Sequence, residues 1–436
     1  MSSAFGNKLT SLETEMGFSG IESLFRIFGD RYDWHLHILR LPSLTPALEN
    51  ALLALCTARL GRQGSRPGLG QKSLQLYTKG VALVRRDVLN ASAQTAVDEQ
   101  SLAACLSLLL YEAVECPGGT MDGYQAHYRG CLELLRLRGA VSSTSALAHA
   151  TLQILRLHTI HIVLGDPPCA LFLDQPEWLD IPWTGQSYGK SSFDRLVDIL
   201  LNVSKYYTQT HVLVTNPRSL LQNASILIEQ GQRLKDLLES WFKGFQAAVP
   251  GPLYHVELSK IETAFDELEL GKLLPIAFYF PSFSVGQALV YYWIAIVIIQ
   301  SRLHQTQAYL ESLDSNELPC TCGTAGETPS SCVRHFSADS PPSFGTNDVD
   351  VRAAACNICQ SVEYFLQDTM RGFGLASMLP GLMWVKWFWS QKLDSHCWDR
   401  ELAWIDDVVG RIHSSGYGIA AALGGRLREG EKSQSR

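Results

Sequence analysis

The sequence predicts an all-α protein with a large multi-helix body. Apolar residues recur every three or four positions along most of the chain, which is the period of an amphipathic helix. No stretch alternates apolar and polar residues convincingly over the length of a strand, and no Asn-Gly or Asp-Gly hairpin turn joins two such stretches. We therefore expect about 14 to 18 helices packed ridge into groove.

The first helices have recognisable ends. Thr45 suits the N-cap position and Pro46 the first helical residue, while Gly61 suits a left-handed C-cap. A loop rich in Gly and Arg is predicted from Gly61 to Gly70. The next helix places five residues on one face: Leu74, Tyr77, Val81, Val84 and Val88.

Helix signals continue towards the middle of the chain. Asp98 can cap a helix from Leu102 to Ala113, and Gly139 can end a helix that begins near Asp122. The later helices show the same spacing in four runs, which are Phe193, Leu196, Leu200, Val203 and Tyr207; Leu220, Ala224, Leu227, Gly231, Leu234, Leu238, Trp241 and Phe245; Val351, Ala355, Ile358, Val362 and Phe365; and Leu402, Ile405, Val409 and Ile412.

One long segment breaks the helical pattern. Residues 314–347 are rich in Ser, Pro, Gly, Thr and Cys and lack periodicity, which predicts a disordered loop. Strongly apolar helices flank it, so we expect one domain with an insertion rather than two domains. The predicted organisation is an N-terminal tail at 1–19, a helical regulatory domain at 20–423 and a C-terminal tail at 424–436.

Residues 273–301 carry no charge and are long enough to span a bilayer. Pro275 and Pro281 interrupt the first part, and the unbroken apolar run from Ala288 to Ile299 is too short for a span. We expect a buried core helix and no membrane partner.

Composition argues against a nucleic-acid-binding or secreted protein. The 436 residues have a formal net charge of −7, and 46% of them are hydrophobic. A DNA-binding domain usually has a basic face and a high pI, whereas this pI is about 6.0. The N-terminus has no apolar signal region, and the eleven cysteines are scattered, which favours reduced intracellular thiols.

Two groups of residues have metal-ligand chemistry. Cys320, Cys322, Cys332 and His335 offer soft ligands at short spacings, and the pair Cys356 and Cys359 could add to them. Zinc sites usually use a C-x2-C pair, whereas the first pair is C-x-C, and the last pair lies on a predicted helix where Cys is commonly a core residue. We therefore predict no metal site.

Histidines also come close together in sequence. His158 and His161 lie three apart on a helix, with Asp166 following, and Asp33, His35 and His37 alternate near the N-terminus. Half-buried surface histidines are the preferred interpretation of both groups.

Acidic pairs and one glycine motif complete the candidates. Asp406 with Asp407, and Glu267 with Glu269, are predicted to lie on solvated helix faces. Gly416-Tyr-Gly418 only loosely resembles a dinucleotide fingerprint, because it follows a helix instead of a strand.

The sequence contains no Walker loop. We predict that the protein is not an enzyme, with no catalytic residues and no cofactor.

Several segments resemble one family in the family's own order. They are TPALENALLALCTARLGRQ, SLQLYTKGVALVRRDVLN with Tyr77, SLAACLSLLLYEAVE with Tyr111 and Glu112, GYQAHYRGCLELLRLRG with Tyr124, His127, Gly130, Arg138 and Gly139, FLDQPEWLDIPW with Trp178, Pro182 and Trp183, LVYYWIAIVIIQSRLH around Trp293, and CNICQSVEYF. Together they are similar to the fungal-specific transcription factor domain, from about residue 20 to residue 420.

This resemblance implies a nuclear transcriptional regulator. It also implies that the target genes are a metabolic set, such as a secondary-metabolite cluster. The family's typical member begins with a binuclear zinc cluster that places a helix in the major groove. This sequence has no Cys before Cys56 and no such spacing, so direct DNA binding is in doubt. Either that module is missing from this gene model, or the chain regulates through a partner.

The expected partners are the transcriptional machinery or a DNA-binding partner protein, with a homodimer and a small-molecule effector as further expectations. One alternative is a helical scaffold or small-molecule receptor, whose pocket would be lined by Tyr291, Tyr292, Trp293, Trp384, Trp387 and Trp389. Core positions are the preferred interpretation of these aromatic residues. The other alternative is an enzyme that uses the Cys/His group near residue 320.

Overall fold

The computed structural model describes residues 34–64, 67–90, 98–162, 172–184, 189–215, 224–263, 266, 271–314, 348–390 and 398–423. In the first half these form α1 (Trp34–Leu39), α2 (Pro46–Gly64), α3 (Pro67–Asn90), α4 (Glu99–Glu115), α5 (Asp122–Arg138), α6 (Ala146–Ile162), α7 (Pro176–Asp180) and α8 (Ser192–Thr215). Two short 3-10 helices, Ala140–Thr144 and Ile181–Trp183, follow α5 and α7.

The second half contains α9 (Ala224–Ala248), strands β1 (His255–Leu258) and β2 (Ile276–Tyr279), then α10 (Phe283–Asp314), α11 (Asp348–Phe365), α12 (Arg371–Ser390) and α13 (Asp399–Ser414). A 3-10 turn, Asp368–Met370, precedes α12. The predicted all-α class is confirmed. The predicted loop at 314–347 lies almost wholly outside the described residues, apart from Asp314, which ends α10.

The two strands are a departure from the sequence-based prediction, which contained none. They pair antiparallel, from His255 opposite Tyr279 to Leu258 opposite Ile276. Residues 259–275 separate them, so no tight turn marks the pair in the sequence. Glu363 on α11 binds this sheet, since its carboxylate accepts hydrogen bonds from the Lys260 backbone N–H at 2.8 Å and the Tyr279 hydroxyl at 2.9 Å.

The start of α2 agrees with its predicted cap, whereas its end does not. Thr45 Oγ1 accepts the Leu48 N–H at 3.3 Å, and Pro46 is the first helical residue. The helix continues through Gly61 to Gly64, so the predicted stop at Gly61 is wrong. A Cβ at Gly61 would lie 3.3 Å from the Leu69 Cβ, which shows that this glycine permits close packing between α2 and α3.

Two further predicted ends are confirmed in position. Asp98 precedes α4, although its side chain makes no capping hydrogen bond there. Gly139 ends α5 with φ of 75°, in the region that favours glycine.

The long helix α10 lies in the core, as expected for the uncharged segment. By length and composition, its Phe283–Ala308 portion is the one helix in the described part of the chain that could cross a membrane. However, 78% of its most apolar window is buried by the fold. The sequence-based prediction of a core helix is therefore confirmed.

A single hydrophobic cluster extends from Trp34 on α1 to Ala420 beyond α13. Polar contacts across it join distant parts of the chain. The Trp384 indole N–H donates to the Ile160 carbonyl at 3.3 Å, and the Gly418 N–H donates to the Val114 carbonyl at 2.8 Å. The first and last helices thus share one core, while the predicted domain boundaries remain a prediction.

Candidate functional site

A chain of hydrogen bonds joins α3, α4 and α5 inside the N-terminal half. The Tyr77 hydroxyl on α3 lies 2.5 Å from Glu112 Oε1 on α4 and 2.8 Å from His127 Nε2 on α5. Since a hydroxyl has one hydrogen and the carboxylate can only accept, Tyr77 donates to Glu112 and accepts from His127. We call Tyr77, Glu112 and His127 the Tyr–Glu–His network.

Burial makes this network energetically important. Glu112 is only 4% exposed, and an unpaired buried carboxylate is costly. Burial, and then the hydrogen bond to Glu112, raises the pKa of Tyr77 and keeps its hydroxyl protonated as a donor. The Tyr77 ring also stacks on Tyr111, with centroids 4.4 Å apart.

Two glycines on α5 create the space for this arrangement. A Cβ at Gly123 would overlap the Glu112 carboxylate, and a Cβ at Gly130 would lie 3.3 Å from Cys105 Sγ. The helices α4 and α5 can therefore approach closely where their polar side chains meet.

Two buried thiols adjoin the network. Cys105 on α4 and Cys131 on α5 are 5% and 0% exposed, and both are free. Cys105 Sγ donates a hydrogen bond to the His127 backbone carbonyl at 3.5 Å. The Cys105 thiol therefore contacts the turn of α5 that carries the histidine of the network.

A second polar cluster surrounds Trp183. The Arg156 guanidinium on α6 lies 4.6 Å from the centroid of the Trp183 ring. The Lys190 ammonium lies 4.8 Å from the same centroid. Both cations pair with the Asp198 carboxylate on α8, Lys190 at 2.6 Å. His149 meets the Trp183 ring edge-on at 5.1 Å. This arrangement locks α6 to α8.

The predicted metal candidates are not brought together among the described residues. Cys320, Cys322, Cys332 and His335 lie outside them. Cys359 is 2% exposed, and Cys356 is half-buried on α11, as expected of a helix near the core. In the described part of the chain, no group of three or more His, Cys, Asp or Glu residues could hold a metal ion.

The histidine pair on α6 is half-buried, as predicted, and both rings hydrogen-bond tyrosine hydroxyls. His158 hydrogen-bonds the Tyr124 hydroxyl, and His161 Nε2 lies 2.7 Å from the Tyr291 hydroxyl. Burial lowers the pKa of His158 to about 4 and the pKa of His161 well below its usual value, so both are neutral at pH 7. Asp166 lies outside the described residues.

One of the two N-terminal histidines departs from the prediction. His35 is only 5% exposed, so the interpretation as a half-buried surface residue is wrong for it, whereas His37 is half-buried. Asp33 lies outside the described residues.

One acidic pair was also misassigned in part. Asp406 accepts from the Lys386 ammonium at 2.6 Å, and that lysine side chain is only 4% exposed. Asp406 therefore neutralises a buried cation, while Asp407 forms the expected exposed pair with Arg411. Glu267 and Glu269 lie outside the described residues.

The candidate pocket aromatics are core residues. Tyr291, Trp293, Trp384, Trp387 and Trp389 are at most 6% exposed, and the half-buried Tyr292 stacks on Phe242. A cleft between α6 and α8 encloses no space for even one water molecule, whereas ligand pockets typically measure roughly 300–1,000 Å³. This cleft does not support the small-molecule receptor alternative.

The glycine motif after α13 serves packing. Gly416 has a φ of 97°, and Arg59 Nη1 donates to its carbonyl at 3.3 Å. A Cβ at Gly418 would overlap the end of α4. A strand does not precede the motif, as expected.

Comparison with known proteins identifies one family. A model described as the fungal specific transcription factor domain matches residues 21–188. No curated protein and no solved structure matches the chain. The resemblance of later segments, up to about residue 420, remains a prediction.

The family match supports a role in transcription regulation, and the family is one of transcription factors rather than enzymes. The Tyr–Glu–His network and the Trp183 cluster both lie inside or against the matched segment. The sequence analysis named Tyr77, Glu112, His127 and Trp183 for their helix spacing or family resemblance. It missed the remaining members, which are Cys105, Cys131, His149, Arg156, Lys190 and Asp198. The four-residue spacing of His127 and Cys131, which places them on one helix face, was the available signal.

Proposed function

We propose that this protein is a nuclear transcriptional regulator of a fungal metabolic gene set, such as a secondary-metabolite cluster. It acts through protein partners or by sensing an effector. The observation that carries the proposal is the family match over residues 21–188, within which Tyr77, Glu112 and His127 form one buried network.

The charge of the chain favours action through a partner. A formal net charge of −7 gives no general attraction to phosphate, and DNA affinity depends strongly on such attraction. A DNA-binding partner protein would supply the missing contacts, and a homodimer would present two copies of the helical body to the transcriptional machinery.

Deletion of the gene followed by transcript profiling tests the regulatory role. We expect a coordinated set of genes, enriched in chromosomal neighbours, to change expression, and a tagged protein to be found in the nucleus. An unchanged transcriptome under conditions where the gene is expressed would contradict the proposal.

A tethering experiment tests the mechanism separately. The full chain is fused to an unrelated DNA-binding domain and directed to a reporter promoter. A change in reporter output shows that the helical body recruits or excludes transcriptional machinery without contacting DNA itself. The test variant is Glu112→Ala, which breaks the Tyr–Glu–His network. The matched control is Glu133→Ala on α5, because the Glu133 side chain is 65% exposed.

A further inference from the structure

Strand β1 carries exposed apolar side chains on an edge that has no neighbouring strand. In the described part of the chain the sheet has two strands, so β2 covers only one edge of β1. Val256 is 52% exposed and Leu258 is 78% exposed. Such an edge is a template for another strand, and native edges usually carry a Lys or a Pro that prevents pairing. Neither residue type occurs between His255 and Leu258.

The main-chain groups of Val256 and Leu258 point away from β2. The Ser259 N–H donates to the Pro275 carbonyl at 3.0 Å, in continuation of the register of the sheet. Hydrogen-bonded and non-hydrogen-bonded pairs alternate along an antiparallel ladder, so Glu257 also bonds to β2. The N–H and C=O groups of Val256 and Leu258 therefore face the outer edge.

We propose that β1 pairs antiparallel with β1 of a second copy of this chain, across a two-fold axis at Val256. In this register Val256 lies opposite its own copy, and Tyr254 lies opposite Leu258. Opposed side chains lie on the same face of a sheet, so these apolar residues form one row across the axis. The pairing forms about six main-chain hydrogen bonds and joins the two small sheets into one.

The other face of β1 is electrostatically complementary in this register. His255 lies opposite Glu257 of the second copy, and the two-fold symmetry repeats this pair on the other side of the axis. The pair is a non-hydrogen-bonded one, in which the Cα atoms approach to about 4.5 Å. The two side chains are 61% and 40% exposed, so they can meet without the cost of burying charge.

Neighbouring registers are disfavoured by particular residues. Moving the axis from Val256 to Glu257 would place two carboxylates directly opposite each other. Moving it one residue farther would require the Lys260 N–H, which already donates to Glu363 at 2.8 Å. Moving it one residue earlier would bring Pro252, which has no N–H, into the ladder.

The paired segment is short, so the dimer is a weak one. Small specific interfaces are typical of transient complexes, and we expect a Kd of roughly 1–100 µM. The inference deepens the proposed function, since it gives a surface to the homodimer named there. It is nevertheless tested on the purified protein, so that the two can fail separately.

The test is analytical ultracentrifugation of the full-length protein over concentrations that span this range. We expect the average mass to rise from that of a monomer towards that of a dimer. Val256→Lys should abolish the rise, because two ammonium groups then face each other at the axis. The matched control is Ile226→Lys on α9, where the replaced side chain is 54% exposed, and it should dimerise as the unmodified protein does.

A mixing experiment tests the register. His255→Glu places carboxylates opposite each other on both sides of the axis, and Glu257→Lys places a lysine opposite each histidine. Each variant alone should dimerise more weakly than the unmodified protein. An equal mixture should recover dimers, because the new glutamate of one chain then lies opposite the new lysine of the other.

Three results would overturn the inference. The first is a monomer at every concentration, and the second is dimerisation of Val256→Lys with unchanged Kd. The third is slow amide hydrogen exchange at Val256 and Leu258 in the dilute monomer, which would mean that another segment of the same chain covers the edge. None of these results would alter a transcriptome change caused by deletion of the gene, which tests the regulatory role.

Discussion

Asp198 offers the sharpest test of the packing described above, because it neutralises two cations at once. The Arg156 side chain is 1% exposed, Lys190 is 17% exposed, and both pair with Asp198, which is 21% exposed. Asp198→Asn keeps the shape but removes the charge. Removing one partner of a buried ion pair costs about 3–5 kcal/mol. Since Asp198 retains some exposure, we expect the lower end of that range.

The assay is thermal unfolding by calorimetry or circular dichroism. The entropy of unfolding is about 2 cal/mol/K per residue, so a chain of this length loses about 1 °C of Tm for each kcal/mol. Asp198→Asn should therefore lower the Tm by about 3 °C. The matched control is Asp407→Asn, which breaks an exposed pair with Arg411 and should cost under about 1 kcal/mol.

A double variant checks the physical reason. Arg156→Met with Asp198→Leu removes the fully buried cation together with its partner. It should recover most of the loss, because the one cation left without Asp198 is Lys190, whose side chain is 17% exposed. If Asp198→Asn and Asp407→Asn shift the Tm equally, Arg156 is not a desolvated cation, and the reasoning from burial is refuted.

Three further predictions use other sites. Gly231→Ala places a Cβ against the buried Tyr206 hydroxyl, so it should lower the free energy of unfolding in urea by about 1–3 kcal/mol. Gly244→Ala on the same helix meets open space, so it should raise that free energy by up to about 1 kcal/mol. Tyr77→Phe leaves buried polar partners unsatisfied and should cost about 1–3 kcal/mol, while Tyr254→Phe, whose hydroxyl has no hydrogen bond to the described residues, should be near neutral. Burial lowers the pKa of His158 from 6.5 to about 4, so on acidification the unfolded chain binds a proton at this residue before the folded protein does. The Tm should therefore fall as the pH decreases from 6.5 towards 4, and His158→Gln should make that fall smaller.

Each of these has a contradicting outcome. Equal effects of the two glycine variants would mean that α9 can move away from α8 and α10 without cost. A neutral Tyr77→Phe would mean that water or another group satisfies Glu112 and His127. An unchanged pH profile in His158→Gln would place the acid sensitivity elsewhere.

Much of the fold could be predicted because helical periodicity is local. The spacing from Phe193 to Tyr207 lies within α8, and that from Leu402 to Ile412 lies within α13. The errors arose where distant residues decide the outcome. Gly61 suggested a helix end, yet α2 continues through it to Gly64, and Leu69 on the next helix lies 3.3 Å from where a Cβ on Gly61 would be. The strands β1 and β2 are short and far apart in sequence, so pairing stabilises them and no local pattern marks them.

The candidate site was predictable in its members but not in its assembly. Tyr77, Glu112 and His127 were each singled out within family-like segments, but nothing in the sequence joins a tyrosine to a glutamate 35 positions away. Asp406 looked like a solvated carboxylate because helix periodicity does not reveal that Lys386 is buried beside it.

The sequence by itself determined the all-α class, the core position of α10 and the similarity of residues 21–188 to the fungal specific transcription factor domain, because helix period, charge and segment order are properties of the chain read along its length. Only the tertiary structure decided which polar groups are buried and with whom they pair. The reason is physical: the cost of burying Glu112, Arg156 or Cys105 depends on the partners supplied by neighbouring helices, and packing alone brings those partners within hydrogen-bonding distance.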